Sequence, residues 1–204
     1  MEERAKDPLD GVTGMWLAEV KQGNDESFGR LYEHIAPALL TWAEFRIRPE
    51  QRQHVDPADV VQEVWFRAWR QMETFDPEAT PFRYWIFRIA KNVLLEAVRK
   101  GQRADNSGAG TTAKMQQLGE LADTMTAVSM RLSRDEGLAA FRAEVEALPE
   151  DDRRLVVHCG LEGLPLKEVA RRLDVSTEAA TKRWQRLRAR LAAGGLPEHL
   201  LAAA

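Results

Sequence analysis

Apolar residues recur every three or four positions along most of this chain, and no convincing period-two run appears. That pattern predicts an all-α protein. The clearest stretch is Pro81 to Lys100, one long amphipathic helix with proline at its start, where a missing N–H costs nothing. Phe82, Ile86, Ile89, Val93 and Ala97 fall on one stripe. Tyr84, Phe87, Arg88, Lys91 and Leu95 come up together on the other side. Upstream, Asn24 can cap a helix carrying Phe28, Leu31, Tyr32 and Ile35, and Pro37 opens another through Leu40, Trp42 and Phe45. Asp56 and Pro57 form a clear helix start. The helix after them, from Ala58 to Met72, buries Val61, Val64, Trp65, Ala68 and Met72. Its outer side carries Asp59, Gln62, Glu63, Phe66 and Arg70.

Breakers and composition divide the chain. Met1 to Gly14 reads as a mobile N-terminal tail, and residues 15–100 as a helical domain. Gly101 to Thr112 has linker composition. From Ala113 to Arg131 the helical signal is weak, as in a segment that folds only against a partner, so the linker extends over 101–132. Ser133 with Glu136 reads as a capping box opening a second domain, 133–192. In that domain a helix ends near Cys159 at the breakers Gly160 and Gly163. A short helix from Pro165 then carries Val169, Ala170 and Leu173. Asp174, Val175 and Ser176 make a tight turn, and a longer helix buries Ala180, Trp184, Leu187 and Leu191. Short helix, turn and longer basic helix form a helix-turn-helix. Residues 193–204 read as a tail. The expected architecture is two small helical domains joined by a flexible linker, the second a helix-turn-helix.

Charge changes the picture locally. The net charge is only −3, which predicts no general affinity for polyanions. Yet Arg83, Arg88, Lys91, Arg99 and Lys100 stand against Glu96 alone, and Lys182, Arg183, Arg186, Arg188 and Arg190 against Glu178 alone. Rings among cations on the first helix suit a single nucleic-acid strand, with stacking on bases and cations on phosphates. A helix buried on two sides, its cations at the rim, fits the same spacing. On the last helix, Lys182, Gln185 and Arg186 are placed to reach base edges in a major groove, with Arg183 and Arg188 flanking toward phosphate. A three-helix interaction module with a solvated basic face is the alternative. Phe66 among carboxylates suggests a protein-binding patch, or else packs on a neighbouring helix. The loop Glu73 to Thr80 could hold a base drawn from a duplex, or simply connect.

One cysteine, Cys159, excludes an intramolecular disulfide. His158 and Cys159 lack the further ligands zinc needs, and Asp59 with Glu63 lacks a matching acidic cluster, so no metal or cofactor is expected. No nucleophile or acid pair is assembled, and no enzymatic activity is expected. No apolar run spans a bilayer and no leader opens the chain, which predicts a cytoplasmic protein without membrane insertion.

In this order the two basic segments resemble the extracytoplasmic-function sigma factors of bacterial RNA polymerase. Asp59-Val60-Val61-Gln62-Glu63-Val64-Trp65 is similar to the family's D-x-x-Q-E-[VT]-[FW] stretch, which binds the clamp helices of the largest polymerase subunit. Phe82 to Asn92 (FRYWIFRIAKN) is similar to the family helix that faces the melted minus-ten element. Leu148-Pro149 and Glu168-Val169-Ala170 resemble motifs of the domain that reads the minus-thirty-five element. The resemblance implies polymerase contacts at Asp59, Gln62, Glu63 and Phe66. It implies minus-ten contacts at Arg83, Tyr84, Phe87, Arg88, Lys91 and Asn92. Minus-thirty-five contacts would fall at Ser176, Thr181, Lys182, Arg183, Gln185, Arg186 and Arg188.

The implied partners are core RNA polymerase and promoter DNA, with an anti-sigma factor as a further candidate. Ala180, Thr181 and Lys182 depart from the family's usual residues, so the upstream promoter sequence does not transfer. A charged insert from Arg46 to Val55 and a long linker are further departures. A helix-turn-helix transcriptional regulator with no polymerase-subunit role is the rival reading.

Overall fold

The computed structural model describes residues 8–102, 120–193 and 200–201, and every regular element among them is helical. The chain divides into two compact units, Gly14–Arg134 and Asp135–Ala204, the latter grouped with the N-terminal residues through Thr13. Of the expected N-terminal tail, residues 1–7 lie outside the described residues, and Pro8 to Gly14 belong to a helix, α1, Pro8–Lys21.

The front unit is organised around α2, Asp25–Arg46. Asn24 caps it as expected, its side chain accepting from Ser27 N at 3.1 Å. Pro37 does not open a new helix; it lies buried inside α2. A proline there forfeits a backbone bond worth about 3 kcal/mol with its steric cost. Burial offsets this, because every residue from Ile35 to Ala43 is buried.

Helix α3, Pro57–Gln71, starts as predicted, with Asp56 Oδ1 accepting from Ala58 N at 2.7 Å. Helix α4, Phe82–Gln102, packs on both α3 and α2. Between the helices lies an aromatic cluster. Trp65 meets Phe28 and Tyr32 edge-on, with ring centroids 5.4 and 5.1 Å apart, and Phe75 meets Trp85 at 4.5 Å. Each such pair adds about 0.5–1.5 kcal/mol beyond its buried area.

Residues 103–119 of the expected linker, 101–132, lie outside the described residues, but the later part of the weakly patterned stretch from Ala113 to Arg131 is a regular helix, α5, Glu120–Ser133. Its cover is α2 of the same unit, not an outside partner. Met125, Val128 and Leu132 are buried. The Tyr32 hydroxyl donates to Met125 O at 3.2 Å and lies 2.7 Å from Ser129 Oγ. Arg131 pairs with Glu33 at 3.1 Å.

In the rear unit, α6 spans Glu136–Glu146. Its cap is Asp135, accepting from Leu138 N at 3.0 Å, and not Ser133, which belongs to the preceding helix. Helix α7, Glu150–Leu155, widens into a π-turn, Val156–Leu161, that carries the chain through Gly160. Helices α8, Leu166–Leu173, and α9, Thr177–Ala193, form the helix-turn-helix. Asp174 takes the left-handed conformation at the turn (φ 54°), where a short polar side chain is tolerated. Ser176 Oγ caps α9, accepting from Ala179 N at 3.1 Å.

The expected C-terminal tail is in part core. Leu200 and Leu201 are buried. Leu201 lies against Gly160, where an added Cβ would stand 2.6 Å from Leu201 Cδ2 and 2.9 Å from Trp184 Cη2. Leu201→Ala should therefore cost the rear unit about 2–5 kcal/mol, as for other buried leucines. Urea unfolding followed by the NMR signal of the Trp184 indole measures this; an unchanged midpoint would show that the tail contributes nothing.

Candidate functional site

Three helix faces carry the residues singled out in the sequence. On α3, Asp59 is exposed, and Gln62 and Glu63 are half-buried. Partial burial raises the Asp59 pKa first, and the Asp56 charge raises it further. Phe66 departs from expectation. It is buried, 6% exposed, with the Arg70 guanidinium 5.8 Å from its ring centroid. Flanked by α2 and α4, α3 has a wider apolar arc than one stripe, so Phe66 packs inward.

Arg67, which the sequence reading passed over, lies beside Glu63. Its Nε donates to Glu63 Oε1 at 2.7 Å, and its two terminal nitrogens donate to the Glu96 oxygens at 3.0 and 2.6 Å. The Glu96 hydrogen bond, ahead of those to Glu63, holds the guanidinium more firmly protonated than usual. Its sequence signal was the Glu63/Arg67 spacing of four residues, which brings opposite charges together on a helix.

Along α4, Tyr84 is exposed (37%), as are Arg88, Asn92, Leu95 and Arg99, while Arg83 and Lys91 are half-buried. Phe87 is a second correction. It is 1% exposed, its ring edge-on to Trp42 at 5.8 Å. Because α4 rests on α2 as well as α3, Phe87 supports the outer face from below and cannot stack on a base there. Ahead of α4, buried Phe75 anchors the loop, and Asp76 Oδ1 accepts from Glu78 N at 2.9 Å. Residues Asp76 to Ala79 are exposed.

On α9 the expected stripe of Ala180, Trp184, Leu187 and Leu191 is buried, and Lys182, Gln185 and Arg186 are exposed. Lys182 pairs with Glu178 at 2.6 Å, and Arg186 Nε donates to Lys182 O at 3.3 Å. Thr181 spends its hydroxyl proton on Thr177 O at 2.8 Å. The Ser176 cap uses only an acceptor lone pair, leaving an O–H to give. Arg188 is half-buried. Arg183 does not flank outward alone. Its Nε donates to Asp152 at 2.5 Å, and Asp151 lies at 3.4 Å.

Elsewhere, burial and then Glu162 push the Cys159 thiol up to about 12, which keeps it protonated near neutrality. Among the described residues no group of three or more His, Cys, Asp and Glu side chains could hold a metal, and no helix is long and apolar enough to cross a membrane.

Comparison with known families fits this layout. The model of Sigma-70 region 2 matches residues 31–104, and that of Sigma-70, region 4 matches residues 138–191. The chain belongs to the sigma-70 family.

Its relatives place this sigma factor in the extracytoplasmic-function branch. RNA polymerase sigma factor CnrH of Cupriavidus metallidurans is 29% identical over 177 residues, covering 86% of this chain and 90% of that one. The ECF RNA polymerase sigma-E factor of Escherichia coli K12 is 29% identical over 170 residues, covering 80% and 84%. A solved structure of CnrH in complex with the cytosolic domain of CnrY is similar at 26% identity, with a TM-score of 0.42 and coverage of 88% and 94%. The protein is an RNA polymerase sigma factor of transcription initiation. In it the region 2 match contains α3 and α4, and the region 4 match contains the helix-turn-helix.

For this sigma factor, the Asp152 tie makes Arg183 a brace between α9 and α7. Arg183→Gln should leave the salt dependence of duplex binding unchanged, whereas loss of a phosphate contact lowers the slope of log K against log salt by about one. Titration of a minus-thirty-five duplex at several salt concentrations checks this, and a reduced slope would return Arg183 to the phosphate contacts.

Proposed function

We propose that the two units divide promoter opening between them. The front unit docks on core RNA polymerase through Asp59, Gln62 and Glu63 on α3, with Phe66 as the packed floor beneath. The outer face of α4 then holds one strand of the melted minus-ten element. Tyr84 stacks on a base, and Arg83, Arg88, Lys91 and Asn92 meet backbone and base edges, while Phe87 keeps that face rigid from below. Exposed Asp76 to Ala79 is the candidate seat for a flipped base. In the rear unit, α9 enters the major groove of the minus-thirty-five element with Lys182, Gln185 and Arg186. Ser176, Thr181 and Arg188 lie along its edge.

The observation that supports this best is the exposed tyrosine on a cationic helix face backed by a rigid aromatic cluster. A duplex binder has no use for a stacking surface there. Capture of unstacked bases offsets the cost of opening, a few kcal/mol per step. Two weak DNA sites on one chain reinforce each other through effective concentration. The reading requires no bond-making by this chain and places it in the cytoplasm with polymerase and DNA. An anti-sigma factor that covered either DNA face would switch it off.

Glu63→Lys should abolish co-purification with core polymerase while leaving the thermal melting curve in place; normal co-purification would defeat the docking assignment. Tyr84→Ala with Lys91→Ala should lower holoenzyme affinity for forked minus-ten DNA and spare binding to an intact minus-thirty-five duplex. Equal binding of both DNAs by wild type and variant would remove α4 from the DNA path. Arg186→Ala should cost about 1–3 kcal/mol on the preferred minus-thirty-five sequence if it reads a base edge. A uniform loss over all sequences would make it a phosphate contact.

A further inference from the structure

Arg67 lies between the two faces assigned to the front unit. Its guanidinium takes Glu63 of α3 through Nε at 2.7 Å and both oxygens of Glu96 of α4 through its terminal nitrogens. The two parallel hydrogen bonds to Glu96 fix the plane of the fork, and the fixed plane fixes where Nε points. Glu63 is therefore ordered before any partner arrives. Glu96 is the only acid within α4, a helix whose outer face also presents Tyr84, Arg88, Asn92, Leu95 and Arg99. The pairs are partly solvated, with side-chain exposures of 30% for Arg67, 21% for Glu63 and 56% for Glu96. At such exposure an ion pair adds little to stability. Geometry and local charge are what it controls.

We propose that Arg67 is a positioning residue serving both faces: it holds Glu63 in one orientation for core polymerase, and it offsets the Glu96 charge beside the DNA strand. The proposal rests on the assignment of the α3 and α4 faces above. Pre-ordering Glu63 spares rotamer entropy at docking. Offsetting Glu96 removes a repulsion that low salt would magnify. One side chain thus makes the polymerase-facing carboxylate and the strand-facing charge depend on each other.

The test uses the full chain as Arg67→Met, Arg67→Lys, Glu96→Gln and the double variant Arg67→Met/Glu96→Gln. Three quantities are read: the Kd for core polymerase, the affinity of holoenzyme at saturating core for forked minus-ten DNA at two salt concentrations, and the Tm of the free chain. Arg67→Met should weaken core binding by about two- to fivefold, the scale of a partly exposed ion pair. It should also weaken fork binding, more at low salt than at high. Glu96→Gln alone should bind the fork at least as tightly as wild type. The double variant should recover fork affinity but not core affinity, which a merely structural role would not do. Arg67→Lys should keep fork affinity and lose part of core affinity, because an ammonium supplies charge without the fork.

If both affinities fall together with Tm, and removal of Glu96 restores neither, the positioning role is overturned. Wild-type affinities in Arg67→Met overturn it as well. Glu63→Lys, run alongside, separates this from failure of the underlying reading. If Glu63→Lys binds core normally, the docking face is wrong and the core arm of the proposal falls with it. If Glu63→Lys loses core binding and Arg67→Met does not, only the positioning role falls.

Discussion

The front unit depends on the burial of Trp65 between α2, α3 and α4. Its ring meets Phe28 and Tyr32 of α2 and Phe82 of α4, and it is fully shielded from solvent. Its indole Nε1 finds no hydrogen-bond acceptor among the described residues, so packing alone holds it. A buried ring of that size tolerates little rotation of α3 about its axis. With α3 fixed, Asp59, Gln62 and Glu63 have only one outward direction. With α4 fixed on the same ring and on Trp42, Tyr84 and Arg88 are turned outward too. The two outward faces are consequences of one packed interior.

Electrostatics then edits these faces. The chain is slightly acidic overall, and many of its cations are already engaged within it. Arg67 is shared by two carboxylates, Arg183 by Asp151 and Asp152, and Lys182 is paired with Glu178. Exposed pairs such as Lys182 with Glu178 are weak and can be exchanged for a phosphate at little cost. The Arg183 pair is less exposed and joins two helices, so it acts as a brace. A count of basic residues therefore overstates the nucleic-acid footprint of α9, and a sort by partner corrects it.

The rear unit illustrates the opposite economy. Its helix-turn-helix is small, and its core is closed by residues distant in sequence. Gly160 lets the π-turn approach Trp184, and Leu201 seals the same spot. Leucines near the end of the chain are thus structural, although nothing around them in the sequence forms a pattern.

What the sequence determined alone was whatever depends on local spacing. Helical class, the Asn24, Asp56 and Ser176 caps, the helix-turn-helix and the buried stripe of α9 all follow from three- and four-residue periods and capping chemistry. So does the family, because its motifs are short and continuous. Tertiary structure decided what depends on how many sides of a helix are covered. Phe66 and Phe87 fall on outward arcs when each helix is viewed alone, yet both are buried because a second neighbour widens the apolar arc. Pro37 is a helix breaker in isolation and a tolerated interior residue where α2, from Ile35 to Ala43, is buried on all sides. The segment from Glu120 has too weak a pattern to be assigned by itself, and only the Tyr32 surface of α2 makes it a helix of the front unit. Arg67 and Arg183 show the same limit for charge: spacing pairs Arg67 with Glu63, but only the fold brings Glu96 to it, and Asp151 and Asp152 to Arg183.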